Sequence, residues 1–358
     1  MSDRTAAALE KFQAFSARLD RLPRWTPYAV VAVLAVAAPY LLSSYDLNLL
    51  GRFLSFAVLG MGLVLLWGHG GVLSLGQGVF FGLGGYCIAM HMKLSDLPAG
   101  ELPDFMVWSG VTELPWWWAP FENPVFAVLA IIAVPGVFGA LFSWLVFHRR
   151  VGGTYFALIT QALALAFATL LISRQDWTGG FNGLTNFSNV FGFSFADPAT
   201  PRGLYWVTLI ILAACFFGLK WLLSSRFGVL LRASRDGENR VRFLGYDPAN
   251  FKIAAFSIAA MLAGVSGALF TLHAGNISPA LVGVVPSIEM VIWVAVGGRH
   301  SLIGAIVGAL LVNFARDRIS SAFPDLWYYF IGGLFILAVT FLPNGLSGAL
   351  DRWRGSKA

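Results

Sequence analysis

The chain has 358 residues, 58% of them hydrophobic and 12% charged, against about 25% charged residues in ordinary soluble domains. Its formal net charge is +6, but the bases sit in short segments beside apolar runs, a pattern of membrane orientation rather than nucleic-acid binding. Two cysteines, Cys87 and Cys215, each inside an apolar stretch, point to neither a disulfide framework nor a metal site.

The first 25 residues mix charges with small side chains and lack the apolar core of a cleavable signal, so 1–25 reads as a polar arm. Apolar runs then recur at 27–43, 49–67, 76–93, 124–147, 152–173, 203–223, 251–273, 287–298, 301–317 and 326–344. They predict an all-α, polytopic transmembrane helical bundle of about ten membrane segments over 26–345, followed by a short tail, 346–358. Bases crowd the arm, Arg149–Arg150, the 224–250 loop and the tail, whereas the 94–123 loop is acidic. The positive-inside rule then places both termini and the 224–250 loop in the cytoplasm, with 94–123 outside. That outer loop also holds Phe105, Trp108, Trp116, Trp117, Trp118 and Phe121, which suit a folded cap in the headgroup zone. Aromatic recognition of a docking protein is the alternative.

Two segments interrupt the apolar pattern. Gly68–Gly85 and Val296–Gly308 each place Gly-Gly, then Ser-Leu, then small residues at helical spacing. Such interruptions at matching places predict broken or re-entrant helices and a weak internal repeat around a midplane pathway. Close helix packing through the same small residues is the competing explanation.

No P-loop, Gly-x-Ser-x-Gly elbow or metal-spaced His/Cys/Glu set occurs, so no enzyme chemistry is expected. Within the apolar runs Glu289 is the main deeply placed ionisable residue. At the bilayer centre a charge costs about 2.5–3.5 kcal/mol on insertion scales, so it needs a partner or a task. It either faces a solute pathway or pairs with Arg299 or another base. Gln77, Ser74, Gln161 and Ser301, with Asn313, are polar side chains on apolar stretches; they suit a small polar solute or serve as interhelical glue. In the 224–250 loop, Leu230, Leu231, Val241, Phe243 and Leu244 interleave with Arg232, Arg235, Asp236, Glu238, Arg240 and Arg242, and Gly245 punctuates the segment. This amphipathic pattern suits a groove on another protein, whereas a bare basic run would only fix topology or touch anionic lipid.

Several motifs in combination resemble the branched-chain amino acid type of ABC importer permease, over nearly the full chain. They are Leu73–Gly78 with Phe80–Tyr86; Thr178-Gly-Gly with Asn182-Gly-Leu; Ser225-Arg-Phe-Gly with Arg235-Asp; Gly245 followed by Lys252, Phe256, Ala263-Gly264 and Gly267-Ala-Leu269; and Gly297-Gly298 with Gly304. Within that family the urea-type second permease subunit is the nearer likeness, through Leu102–Met106, Glu113–Trp116, Arg240-Val with Gly245-Tyr, and Ser287–Arg299. Gln77 stands where the family often has His, and Asn239–Arg242 replaces small residues common in the amino acid permeases. The resemblance implies a bacterial inner-membrane importer of two different permeases, two cytoplasmic ATPases and a periplasmic binding protein. ATP and magnesium would be used by the ATPases and no cofactor held by this chain. It also implies that Arg232, Arg235, Asp236, Glu238, Arg242 and Gly245 belong to an ATPase-coupling region, with Glu289, Gln77, Ser74, Gln161 and Ser301 as pathway candidates. Urea is the expected solute, amino acids the alternative, and a standalone carrier or channel the third reading.

Overall fold

The computed structural model describes residues 35–98, 100–323, 327–341 and 345–348. The expected arm 1–25, the start of the first apolar run and most of the tail lie outside these residues. The chain divides into two units at Leu47/Asn48. In the first, Ser43 Oγ accepts from the Asp46 N–H and donates to its carboxylate, a capping arrangement. The second unit carries the described chain from Asn48 onwards.

Helix α1 (Ser44–Leu63) runs into a π-helical turn, Val64–His69. Then follow α2 (Gln77–Ser95), α3 (Pro124–Phe147), α4 (Thr154–Ser173), α5 (Ala199–Ser224), the short α6 (Arg226–Asp236) and α7 (Glu238–Phe243), α8 (Pro248–Ala274), α9 (Val284–Gly297), α10 (Leu302–Ala322) and α11 (Trp327–Phe341). Caps appear where the chain supplies them. Asn123 accepts from two N–H groups opening α3, Asp247 from one opening α8, and Ser301 from one opening α10.

Helices α2 and α8 are buried along most of their length and pack on each other and on α3. Glycine permits this. A Cβ at Gly84 would overlap the Gly264 carbonyl, and one at Gly264 would overlap the Pro135 ring. The contact is therefore backbone to backbone, and dispersion rather than hydrophobic exclusion holds helices together in lipid. Phe80, Phe138, Phe142, Phe156 and Phe256 fill the space beside this crossing. By contrast α3, α4 and α5 carry exposed Leu, Val, Ile and Phe along one side, as lipid-facing helices do.

Among the described residues, five helices are long and apolar enough to cross a membrane: α1 with its π turn, α3, α4, α5 and α8. The pair α9–α10 adds at most a sixth and is bent by 119° at its break. Of the ten expected segments, length and apolarity mark five or six among the described residues; most of the run 27–43 and part of 326–344 lie outside them. The runs 287–298 and 301–317 belong to one bent pair, and α2, read as a span, is too rich in glycine and polar groups. A helix enclosed by protein has no need of a lipid-compatible surface.

The loop 94–123 folds with 174–198 into a cap. Lys93 pairs with Asp104, Asp96 accepts from Ser188 N–H and Asn189 Nδ2, and the Arg174 guanidinium lies 3.6 Å over the Trp177 ring. Two small antiparallel ladders complete it: Leu184–Thr185 with Asn276–Ile277, and Asn189–Val190 with Phe193–Ser194.

Candidate functional site

Both glycine-rich segments are helix breaks, and the fold brings them together. After the π turn, Gly71 adopts a left-handed φ of +69°, where only a residue without a Cβ is unstrained, and its face lies against the Arg235 side chain. The chain then runs irregularly to Gly76. The Leu75 N–H donates to Thr160 Oγ1 of α4 at 3.0 Å, and the Gly78 N–H to Ser287 Oγ of α9 at 3.1 Å. The second break, Gly298–Ser301, sits directly on the first, since a Cβ at Gly68 would coincide with the Arg299 carbonyl. Close packing and helix interruption thus coexist: Gly297, Gly304 and Gly308 also let the α9 and α10 backbones touch.

Helix α6 is fastened to this junction. Arg235 Nη1 donates to the Gly68 carbonyl at 2.6 Å, and its Nε donates to Asp236 at 2.8 Å. The Arg235 guanidinium holds the Asp236 carboxyl below the usual carboxylate range. Arg232 Nη1 donates to the Leu223 carbonyl at 3.1 Å, while Glu238 pairs with both Lys252 and Arg242. Gly245, at φ +85°, turns the chain towards α8. The charges expected to meet a partner are thus largely engaged within the chain. Outward, beside the exposed Asn239 and Arg240, stand two large apolar side chains: Phe243 is 91% exposed and Leu244 74%. Beside them a cleft of about 430 Å³ is lined by Phe147, His148, Arg150, Arg242, Tyr246 and Asp247.

A second cavity, about 420 Å³, lies towards the other end of the helices. Arg52 is 16 residues before Gly68, about 24 Å along a helix. Its walls include Phe53, Phe56, Phe270 and Leu281, and its polar lining is Arg52, Asn313, Arg316, Asp317, Ser320 and Ser321. Arg52 Nε is buried with no hydrogen-bond partner. Arg316, in contrast, is committed to Glu289, whose other oxygen accepts from Trp327 Nε1 at 3.3 Å. The Glu289 carboxylate is therefore a buried, doubly bonded anchor between α9, α10 and α11. It orients a cavity-lining guanidinium.

A family model described as the permease component of the branched-chain amino acid transport system matches residues 46–339. The chain belongs to that family. The high-affinity branched-chain amino acid transport system permease protein LivM of Escherichia coli (strain K12) is 27% identical over 336 residues, covering 88% of this chain and 72% of the relative. The corresponding BraD of Pseudomonas aeruginosa is 23% identical over 299 residues, 82% of this chain and 92% of BraD. The autoinducer 2 import system permease protein LsrC of Escherichia coli O9:H4 (strain HS) is 32% identical over 155 residues, 41% of this chain and 44% of LsrC. No solved structure matches. The expectation of urea gains no support from these relatives, whose names carry amino acids and an autoinducer instead.

In this permease the pathway candidates separate into four places. Ser74 and Gln77 lie fully buried at the first break, beside Thr160 and Ser287. Ser301 caps α10 at the second break through the Gly304 N–H, 3.0 Å away. Glu289 lies with Arg316 by the cavity, and Gln161 is half-buried on α4. Asn313 lines the cavity while its Nδ2 donates to the Ala309 carbonyl. Sequence reasoning missed Arg52, Arg316 and Asp317 as a group. A signal existed, because Arg52 and Arg316 fall inside predicted apolar runs, but nothing local shows that 264 residues of separation close into one cavity.

Proposed function

We propose that this permease carries an amino acid with an apolar side chain, as a subunit of an ATP-driven importer. The observation that carries this reading is the buried, unpartnered Arg52 Nε in a cavity that also presents Asp317 and phenylalanine walls. With Arg316 neutralised by Glu289, the cavity offers one uncommitted guanidinium, one carboxylate and an apolar surface. A zwitterion with a hydrocarbon side chain matches all three. Urea has no charge to meet the buried Nε–H of a guanidinium, whereas a carboxylate makes charge-assisted bonds with it.

The cavity would face the periplasm and the α6–α7 tip the cytoplasm, in a bacterial inner membrane with both termini inside. A second, homologous permease, two ATPases and a periplasmic binding protein would complete the importer. Closure of the ATPases would move α6, and Arg235 would pass that movement to the Gly68 carbonyl and so to both breaks. Glu289 would hold Arg316 at the cavity while α9 shifts.

Labelled leucine and labelled urea uptake, compared in cells with and without this permease, tests the reading. Leucine uptake should fall and urea uptake should not; the reverse result would sink it. Within the same assay Arg52→Gln should weaken half-saturation for leucine about tenfold to a hundredfold, the equivalent of one charged hydrogen bond of about 1.5–3 kcal/mol. Arg52→Gln with unaltered half-saturation would remove the cavity from the pathway.

A further inference from the structure

Gln77 is the first residue of α2, 1% exposed, and neither its Oε1 nor its Nε2 has a hydrogen-bond partner. Among the described residues only the Tyr86 hydroxyl, further along the same helix, is likewise without a partner as both donor and acceptor. The backbone neighbours of Gln77 are well satisfied. Gly78 N–H reaches Ser287 Oγ, Leu75 N–H reaches Thr160 Oγ1, and Gly76 N–H lies 3.4 Å from Ser74 Oγ. The break is therefore held by α4, α9 and its own Ser74 around an amide that none of them serves. A buried primary amide that no protein group serves destabilises the state that contains it, so packing alone gives no reason to place one there.

Position supplies the reason. Five irregular residues, 72–76, separate the turn that Arg235 contacts from Gln77, a reach of at most about 22 Å. Gln77 thus lies within chain reach of the junction gripped by α6, and α9 connects it to the Arg52 cavity. This glutamine opens a 19-residue helix whose N-terminal end favours negative charge. Helix α9 ties the two places together, since Ser287 holds Gly78 and Glu289, two residues on, holds the cavity residue Arg316.

We propose that the Gln77 amide is a specificity-determining contact of the transport path, donating to the carboxylate of the amino acid as the 70–76 break opens to admit it. The inference rests on the amino acid reading of the cavity. In the closed arrangement the amide is unpaired; in transit its Nε2 donates to the passing carboxylate and its Oε1 accepts from the ammonium. The cost in one state favours departure from it, and the gain in the other selects solutes with both groups.

The test uses the assembled importer, purified with its accompanying subunits and reconstituted into proteoliposomes, with labelled leucine as the probe. Gln77→Leu, and independently Gln77→Met, should cut the maximal uptake rate tenfold or more while raising the melting temperature of the detergent-purified assembly by about 2 °C or more, because an orphaned polar group has been removed. Gln77→His, which keeps a donor, should retain uptake within about threefold. A lowered melting temperature in both apolar variants, failure of both to fold, or full uptake by either would overturn the assignment, since the amide would then be structural or idle. If the wild-type importer moves no leucine, the amino acid reading fails by itself, and the sign of the melting shift still decides whether the Gln77 amide is unpaired at rest.

Discussion

Gly267→Leu should leave almost no folded permease in the membrane. A Cβ at Gly267 would fall on the Phe81 carbonyl, and the neighbouring Gly84 and Gly264 faces are already in backbone contact. The obstructing atoms are main chain, so no rotamer change relieves the overlap; α8 must move away from α2 along their whole crossing. Overpacking a filled core typically costs about 1–3 kcal/mol, and a separation of buried backbones belongs at or above the top of that range. Against a total stability of about 5–15 kcal/mol that is a large fraction. Monodisperse protein recovered from membranes, measured by size-exclusion of a fluorescent fusion, should drop severalfold. Gly218→Leu on α5, where a Cβ meets nothing within 4 Å, should match wild type. Equal recovery of both variants would show that the α2–α8 contact is looser than described.

Phe243→Asp combined with Leu244→Asp should abolish association with the partner ATPases while leaving the permease folded. These two side chains are the most exposed large apolar groups of the α6–α7 elbow and touch little of their own chain, so their loss costs little stability. If both insert into a groove of the partner, each contributes on the order of 2 kcal/mol, and together about a thousandfold in affinity. Co-purification of the ATPases on a tagged permease reads the result directly. Arg235→Ala should behave differently. It removes the bond to the Gly68 carbonyl rather than an outward contact, so ATPases should still bind and hydrolyse ATP while solute uptake fails. Retained ATPase binding in the double aspartate variant would argue against the elbow as the docking element.

The helical membrane class was readable from local properties alone. Hydropathy runs mark where helices lie, glycine clusters mark where they stop, and both are features of short windows. The breaks at 68–76 and 298–301 and the amphipathic elbow at 224–250 were legible for the same reason. Partner choice was not. Glu289 stood out as a charge in an apolar run, yet its bonds to Arg316 and Trp327 depend on where α10 and α11 return. The loop arginines read as outward groups, but Arg235 turns inward because the glycine at 71 leaves its stem room to reach the Gly68 carbonyl.

Membrane residence, the order of the helices and the placement of their interruptions therefore follow from the chain itself, because each is decided within about 20 residues by burial in lipid and backbone freedom. The cavity joining Arg52 to Arg316 and Asp317, the contact between the two breaks and the isolation of the Gln77 amide were decided only by tertiary packing. Each is a relation between side chains remote in sequence, and the glycine faces that let the backbones close up determine which of them meet.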